Sequence, residues 1–143
     1  MHCNPFLPLH GWAHQISTMA KILNPLGKLR AAGGLRSWEL QQLWKERRVG
    51  RESGIFYALL AGRLIRTAEP FLAYDVVQEG LHLAPRLLRL HQLNLRLHRL
   101  LALALAESGA PWSANQLLKE THARHPADSE TLCLMGRTHK DLA

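Results

Sequence analysis

EPFLAYDVVQEGLHLAP at residues 69–85 and APWSANQLLKETHARHP at 110–126 can be laid one on the other. Pro70 then falls on Pro111, Phe71 on Trp112, Ala73 on Ala114, Glu79 on Glu120 and Pro85 on Pro126. The offset is 41 residues, but the chain between the two segments holds a duplication of its own: LRLHQLN at 88–94 runs directly into LRLHRLL at 95–101. Without that seven-residue copy the period is 34. A short period of this kind marks a supersecondary unit that cannot bury its apolar face alone and stacks on its neighbour to do so.

The sequence around the repeats reads as helix. From Ser37 onward Leu, Ala, Arg, Glu and Gln dominate and β-branched residues are few, a composition that favours helix over strand. Ser37 is placed to cap a helix to about Arg48, Val49 to Glu52 breaks it, and a second helix spans about Ser53 to Thr67. Pro70 suits the first turn of a third, which ends near Pro85. A long helix from about Leu87 to Glu107 is closed by Gly109, Pro111 opens another that stops before Pro126, and Asp128 or Ser129 caps the last. Short connections between these pieces force each helix to lie antiparallel on the one before it.

One stretch invites a different reading. LRLHQLNLRLHRL alternates with period two, as a strand would. Leu and Arg are good helix formers, Val, Ile and Thr are absent from it, and Leu100 to Glu107 continues without a break, so helix is expected. The extra seven residues lengthen it by about 10 Å and turn its face by only about 20°, which a helical stack tolerates.

Of the 143 residues, 47% are hydrophobic and 20% charged, enough for one modest core. No run of eighteen apolar residues suggests a membrane span and no secretory leader is evident, so a cytoplasmic protein without membrane contact is expected. Cys3 and Cys133 are too few and too far apart for a disulfide framework or a zinc motif. The net charge of +7 is uneven: residues 1–52 hold eight Lys/Arg against three acids, residues 53–143 ten against eight. Loop formers also gather at the front, at Pro5, Pro8, Gly11, Pro25, Gly27, Gly33 and Gly34. Residues 1–35 are therefore expected to be an irregular arm with one short helix at Gln15–Leu23, and residues 36–53 a capping helix ahead of the repeats.

Tested position by position, residues 54–143 resemble the tetratricopeptide repeat (TPR) family. Counting back from Pro85, the first unit, 54–87, sets Tyr57, Leu60, Ala61 and Leu64 on its first helix and Ala73, Val77, Gly80 and Pro85 on its second. The second, 88–128 with the seven-residue insertion, gives His98, Leu101, Ala102, Leu105, Ala114, Leu118, Thr121 and Pro126, departing from the pattern at His98 and Thr121. A partial third, 129–143, offers Leu132, Met135, Gly136 and His139. The resemblance implies an all-α fold of antiparallel helix-turn-helix repeats, a TPR-like α-solenoid of about two and a half repeats. Small residues at Ala61, Ala73, Ala102, Ala114 and Gly136 would let paired helices approach. More narrowly, WKERRVGRESGIFYALLAGRLIR, EPFLAYDVVQEGL and SETLCLMGRTHKDLA are similar to bacterial TPR proteins related to the TRAF-binding region of apoptosis-signal-regulating protein kinases. Their recurrent signature corresponds to MGRTHKD at 135–141. A truncated member of that group is expected, with no partner-contact motif to carry a TRAF partner across.

Chemistry is thinly represented. His91 and His98 lie seven apart and His122 and His125 three apart, without the Cys or carboxylate company a metal needs. No nucleophile-elbow, zincin or phosphate-loop pattern occurs. The reading is of a protein interaction module, not an enzyme, without cofactor or metal. By the family's geometry its first helices line a groove, pointing to Arg66, Arg96, Arg99, Arg137 and Lys140 as contacts for an acidic peptide or protein, unless these pair with Glu107, Glu130 and Asp141. Gly62 and Leu100 stand where a carboxylate clamp would need Asn. The alternative is a basic all-helical nucleic-acid-binding protein using WKERRVGR at 44–51. Against it stand 6% aromatic content, no recognition-helix motif, and Trp38 and Trp44 spaced as core anchors. An exposed repeat edge would favour self-association.

Overall fold

The computed structural model describes residues 25–31, 34–83 and 91–143. Seven helices occur among them: α1 Pro25–Ala31, α2 Ser37–Glu46, α3 Gly54–Arg66, α4 Pro70–His82, α5 His91–Glu107, α6 Pro111–Arg124 and α7 Ser129–Leu142. Two compact units are formed, Met1–Gly34 and Leu35–Ala143. In the first, residues 25–31 are helical where an irregular arm is expected from the sequence. The expected helix at Gln15–Leu23, Cys3, and Pro85 with the start of the duplicated heptad lie outside the described residues.

The second unit is an α-solenoid. Each helix from α3 to α7 packs on the next, and α3 touches α5 as α5 touches α7, so the first helices of successive repeats adjoin. The residues that fill α3, Tyr57, Leu60, Ala61 and Leu64, are fully buried, as are Ala73, Val76 and Val77 of α4. Each large aliphatic side chain removed from water in this way contributes about 1.5–3 kcal/mol. In the second repeat Ala102, Ala114 and Leu118 form one cluster against which Leu105, Leu134 and Met135 pack. Leu101 is also buried. The closest approach is at Gly80, where a Cβ would stand 2.9 Å from Tyr57 Cβ. Only glycine permits α4 to lie this close to the Tyr57 ring.

Local chemistry sets the boundaries. Ser53 caps α3 by accepting from the Phe56 amide at 3.2 Å, and Asp128 caps α7 by accepting from the Thr131 amide at 3.0 Å. Prolines at the first turn open α4 and α6. The turns before them are copies of one motif. In the first repeat the Ala68 and Glu69 amides donate to Ile65 and Leu64; in the second, Gly109 and Ala110 donate to Ala106 and Leu105. This paired bonding is the Schellman arrangement, which needs a left-handed residue. Gly109 supplies it with φ 87°, and Ala68 adopts φ 59° in the equivalent place.

Helix α2 is tied down at both ends. Ser37 Oγ donates to Glu69 Oε1 at 2.7 Å, and Arg47 donates from Nε and NH2 to Glu79 at 2.6 and 2.7 Å. Ser37 thus begins the helix while Arg36 occupies the cap position, one residue earlier than the sequence suggests. The expectation that both tryptophans anchor the core is corrected: Trp44 lies under the Arg47 guanidinium, 3.4 Å from its ring centroid, but Trp38 is 65% exposed. It is the second residue of its helix and points out, as Phe71 and Trp112 do at 72% and 64% in the equivalent places of α4 and α6.

Candidate functional site

Two clefts adjoin along the first helices of the repeats. One, of about 380 Å³, lies between α5 and α7, with Arg96, Arg99, Leu100 and Leu103 on one side and Cys133 and Leu134 on the other. The second, of about 420 Å³, continues toward α3, where Ile55 faces Leu93, Leu95 and the same two arginines. Helical periodicity accounts for this. Arg96, Arg99, Leu100 and Leu103 recur at the three- and four-residue steps that share one helix face, while Leu97, Leu101 and Ala104 turn inward and are buried.

The two arginines differ in electrostatic state. Arg99 is largely buried and spans from α5 to the start of α7, with NH1 3.0 Å from both Asp128 oxygens and 2.8 Å from Glu130 Oε2. Asp128 also accepts from the Thr131 hydroxyl and amide. Partial burial works to raise the Asp128 pKa, but these bonds from Thr131 and the Arg99 charge outweigh it and hold the carboxyl below its usual value. Arg99 is therefore a strut between repeats. Arg96, exposed at the junction of the clefts, forms no ion pair among the described residues.

The other expected contacts lie elsewhere. Arg137 pairs with Glu107 at 2.9 Å, in a bridge open to solvent on both sides. Arg66 and Lys140 are exposed and, like Arg137, line neither cleft. Of the packing residues, Pro126 is exposed, and so is Gly136, with nothing within 4 Å of a Cβ built there. Among the described residues no helix packs against Gly136 as α4 packs against Tyr57. Ile55, Leu93, Leu95, Leu103 and Leu134 line the clefts but are given no contact role by the sequence. Repeat register could have found Cys133 and Leu134, because Arg99 and Cys133, and Leu100 and Leu134, are equivalent pairs on α5 and α7.

A second polar cluster is structural. Glu79 takes the two bonds from Arg47 and one from the Tyr57 hydroxyl at 2.9 Å. The Arg47 bonds, against opposing burial and aided by Tyr57, hold Glu79 below the ordinary carboxylate range. Burial, with the bond to Glu79, pushes the Tyr57 phenol up. Arg48 donates from backbone and side chain to the buried Glu52 at 3.1 and 3.3 Å. Two of the four cations in Lys45–Arg51 are thus engaged within the fold. Among the described residues no three His, Cys, Asp or Glu side chains group to hold a metal, and no helix is long and apolar enough to cross a membrane.

With this geometry in place, comparison with known proteins adds one match. Residues 73–143 match the family described as Tetratricopeptide Repeats-Sensor (TPR-S). No curated protein and no solved structure matches the chain.

Proposed function

We propose that the protein is an interaction scaffold that takes an extended segment of a partner protein in the groove along α3, α5 and α7. The observation that carries this reading is the pair of adjoining clefts with Arg96 at their junction. A carboxylate on the partner would pair with Arg96, while Leu93, Leu95, Leu100, Leu103 and Leu134 offer apolar surface to the residues on either side of it. Because Arg99 is already neutralised by Asp128 and Glu130, one acidic side chain framed by apolar ones fits better than a uniformly acidic tract. The kinship with bacterial TPR proteins related to the TRAF-binding region of apoptosis-signal-regulating kinases belongs to the same proposal and rests on the sequence stretches quoted for it. So does a cytoplasmic location.

Selection of peptides from a displayed random library on the immobilised protein tests the reading. Enriched peptides should carry an Asp or Glu with apolar neighbours, lose at least tenfold in affinity on Arg96→Glu, and cross-link to a benzophenone placed on Cys133 in a Cys3→Ser background. Peptides whose binding survives both Arg96→Glu and Leu103→Glu would place the interaction elsewhere. The nucleic-acid alternative would have to rely on Lys45 and Arg51, and a salt-dependent mobility shift with generic DNA or RNA would favour it.

A further inference from the structure

The seven-residue copy in the second repeat changes the shape of the groove. Gly54 opens α3 and Ser129 opens α7, and the equivalent place on α5 is Leu95, 41 residues after Gly54 and 34 before Ser129. Helix α5 instead begins at His91, four residues ahead of that place. About one turn of it, or about 6 Å, therefore overhangs the starts of its two neighbours. Gln92 and Leu93 of this overhang line the second cleft, which they share with Ile55, the second residue of α3, and Asp128, the cap of α7. The overhang is the outer wall of that cleft, and the copied heptad is what supplies it.

The copy also repeats a chemical pattern. Aligned on the duplication, Gln92 corresponds to Arg99 and Leu93 to Leu100. Seven residues are nearly two turns, so the members of each pair look to the same side of α5. Leu93, Arg96, Leu100 and Leu103 follow one another at steps of three, four and three, as one stripe. The exposed cation thus has an aliphatic side chain before it and two after it, and Gln92, neutral where Arg99 is charged, adds no second cation to the overhang. We infer, on the basis of the groove proposed above, that the duplicated heptad sets the specificity of that groove: Leu93 forms an apolar subsite that repeats the one at Leu100, and the partner segment carries an apolar residue on each side of its acidic one. Leu93 and Leu100 are about 10 Å apart along the helix. Three residues of extended chain cover that span, and a chain of polyproline-II type returns to the same face after those three. The segment is therefore apolar at two positions three apart, with the acid between them.

The probes are peptides selected on the full-length protein that lose at least tenfold in affinity on Arg96→Glu. Fluorescence anisotropy measures each against the parent, Leu93→Ala, and a variant lacking residues 88–94. The deletion restores the 34-residue period and should keep the helical circular-dichroism signal; if it does not fold, Leu93→Ala, at a half-buried position, decides alone. Both variants should weaken binding at least fivefold. Alanine in place of the apolar peptide residue on one side of the acid should weaken binding to the parent by a similar factor and cost nothing further on Leu93→Ala. Alanine on the other side should weaken binding to both proteins alike. Full affinity for Leu93→Ala, or losses that simply add at both apolar peptide positions, would overturn the subsite while the groove still stood. A selection that yields no peptide sensitive to Arg96→Glu would instead remove the groove reading, and the subsite with it.

Discussion

Ala68→Gly should stabilise the protein, and Gly109→Ala should destabilise it. The two residues occupy one place in duplicate turns, with the same pairs of amide bonds before and after them. At φ 59° Ala68 sits in the left-handed region, where an L side chain costs roughly 1–2 kcal/mol that glycine does not incur. Against this, glycine gives the unfolded chain more freedom, worth roughly 0.4–1 kcal/mol. The net gain for Ala68→Gly is about 0.5–1 kcal/mol, and because Ala68 is exposed no packing is lost. Gly109→Ala carries the opposite balance, with no steric addition, since nothing lies within 4 Å of a Cβ there. Such changes move the melting midpoint of a unit this size by roughly 2–6 °C. Circular dichroism at the helical band reads the shift, and amide exchange at Glu69 and Ala110 reads it locally. The double variant should return close to the parent midpoint, because the turns share no hydrogen bond. A lowered midpoint for Ala68→Gly, or an unchanged one for both single variants, would refute the shared left-handed geometry.

Two further outcomes follow from the packing and the charges. Gly80→Ala gains about 1 kcal/mol of helix propensity but sets a Cβ 2.9 Å from Tyr57 Cβ, and overpacking of about 1–3 kcal/mol should leave it less stable in urea titration; Gly136→Ala, with open space around it, should gain up to about 1 kcal/mol instead. Glu79 and Asp128 both have folded pKa values below their unfolded ones, about 4.3 and 3.9. Their stabilisation is therefore complete above about pH 5 and lost as pH falls through the lower folded values. Melting followed from pH 7 to pH 2 should show this acid loss, diminished in Glu79→Gln.

Elements were more legible in the sequence than the pairings between them. Pro70, Pro111, Ser53 and Asp128 announce helix starts through purely local chemistry, and the alanine spacing of the repeats reports helices in close contact. The fate of the arginines is another matter. Arg99 reaches Asp128 and Arg137 reaches Glu107 across 29 and 30 residues, so their partners depend on the offset between stacked helices, which the periodicity of one helix does not contain. Arg47 was legible only as a cation in a basic run. Its engagement by Glu79 requires knowing that α2 lies beside α4. Trp38 misleads for a related reason: its spacing from Trp44 suggests a shared face, but residues at the second place of each of these helices point outward whatever their apolarity.

The two tethers of α2 have a mechanical consequence. Ser37 to Glu69 and Arg47 to Glu79 span the same 32 residues, so donors and acceptors advance in step and α2 runs parallel to α4. Sliding α2 along its axis by even one residue breaks both at once. Tension applied through the front of the chain is thus borne in shear by a neutral hydroxyl bond and a bidentate ion pair together, instead of peeling them apart one after the other. The helix ahead of the first repeat is fastened to resist a pull.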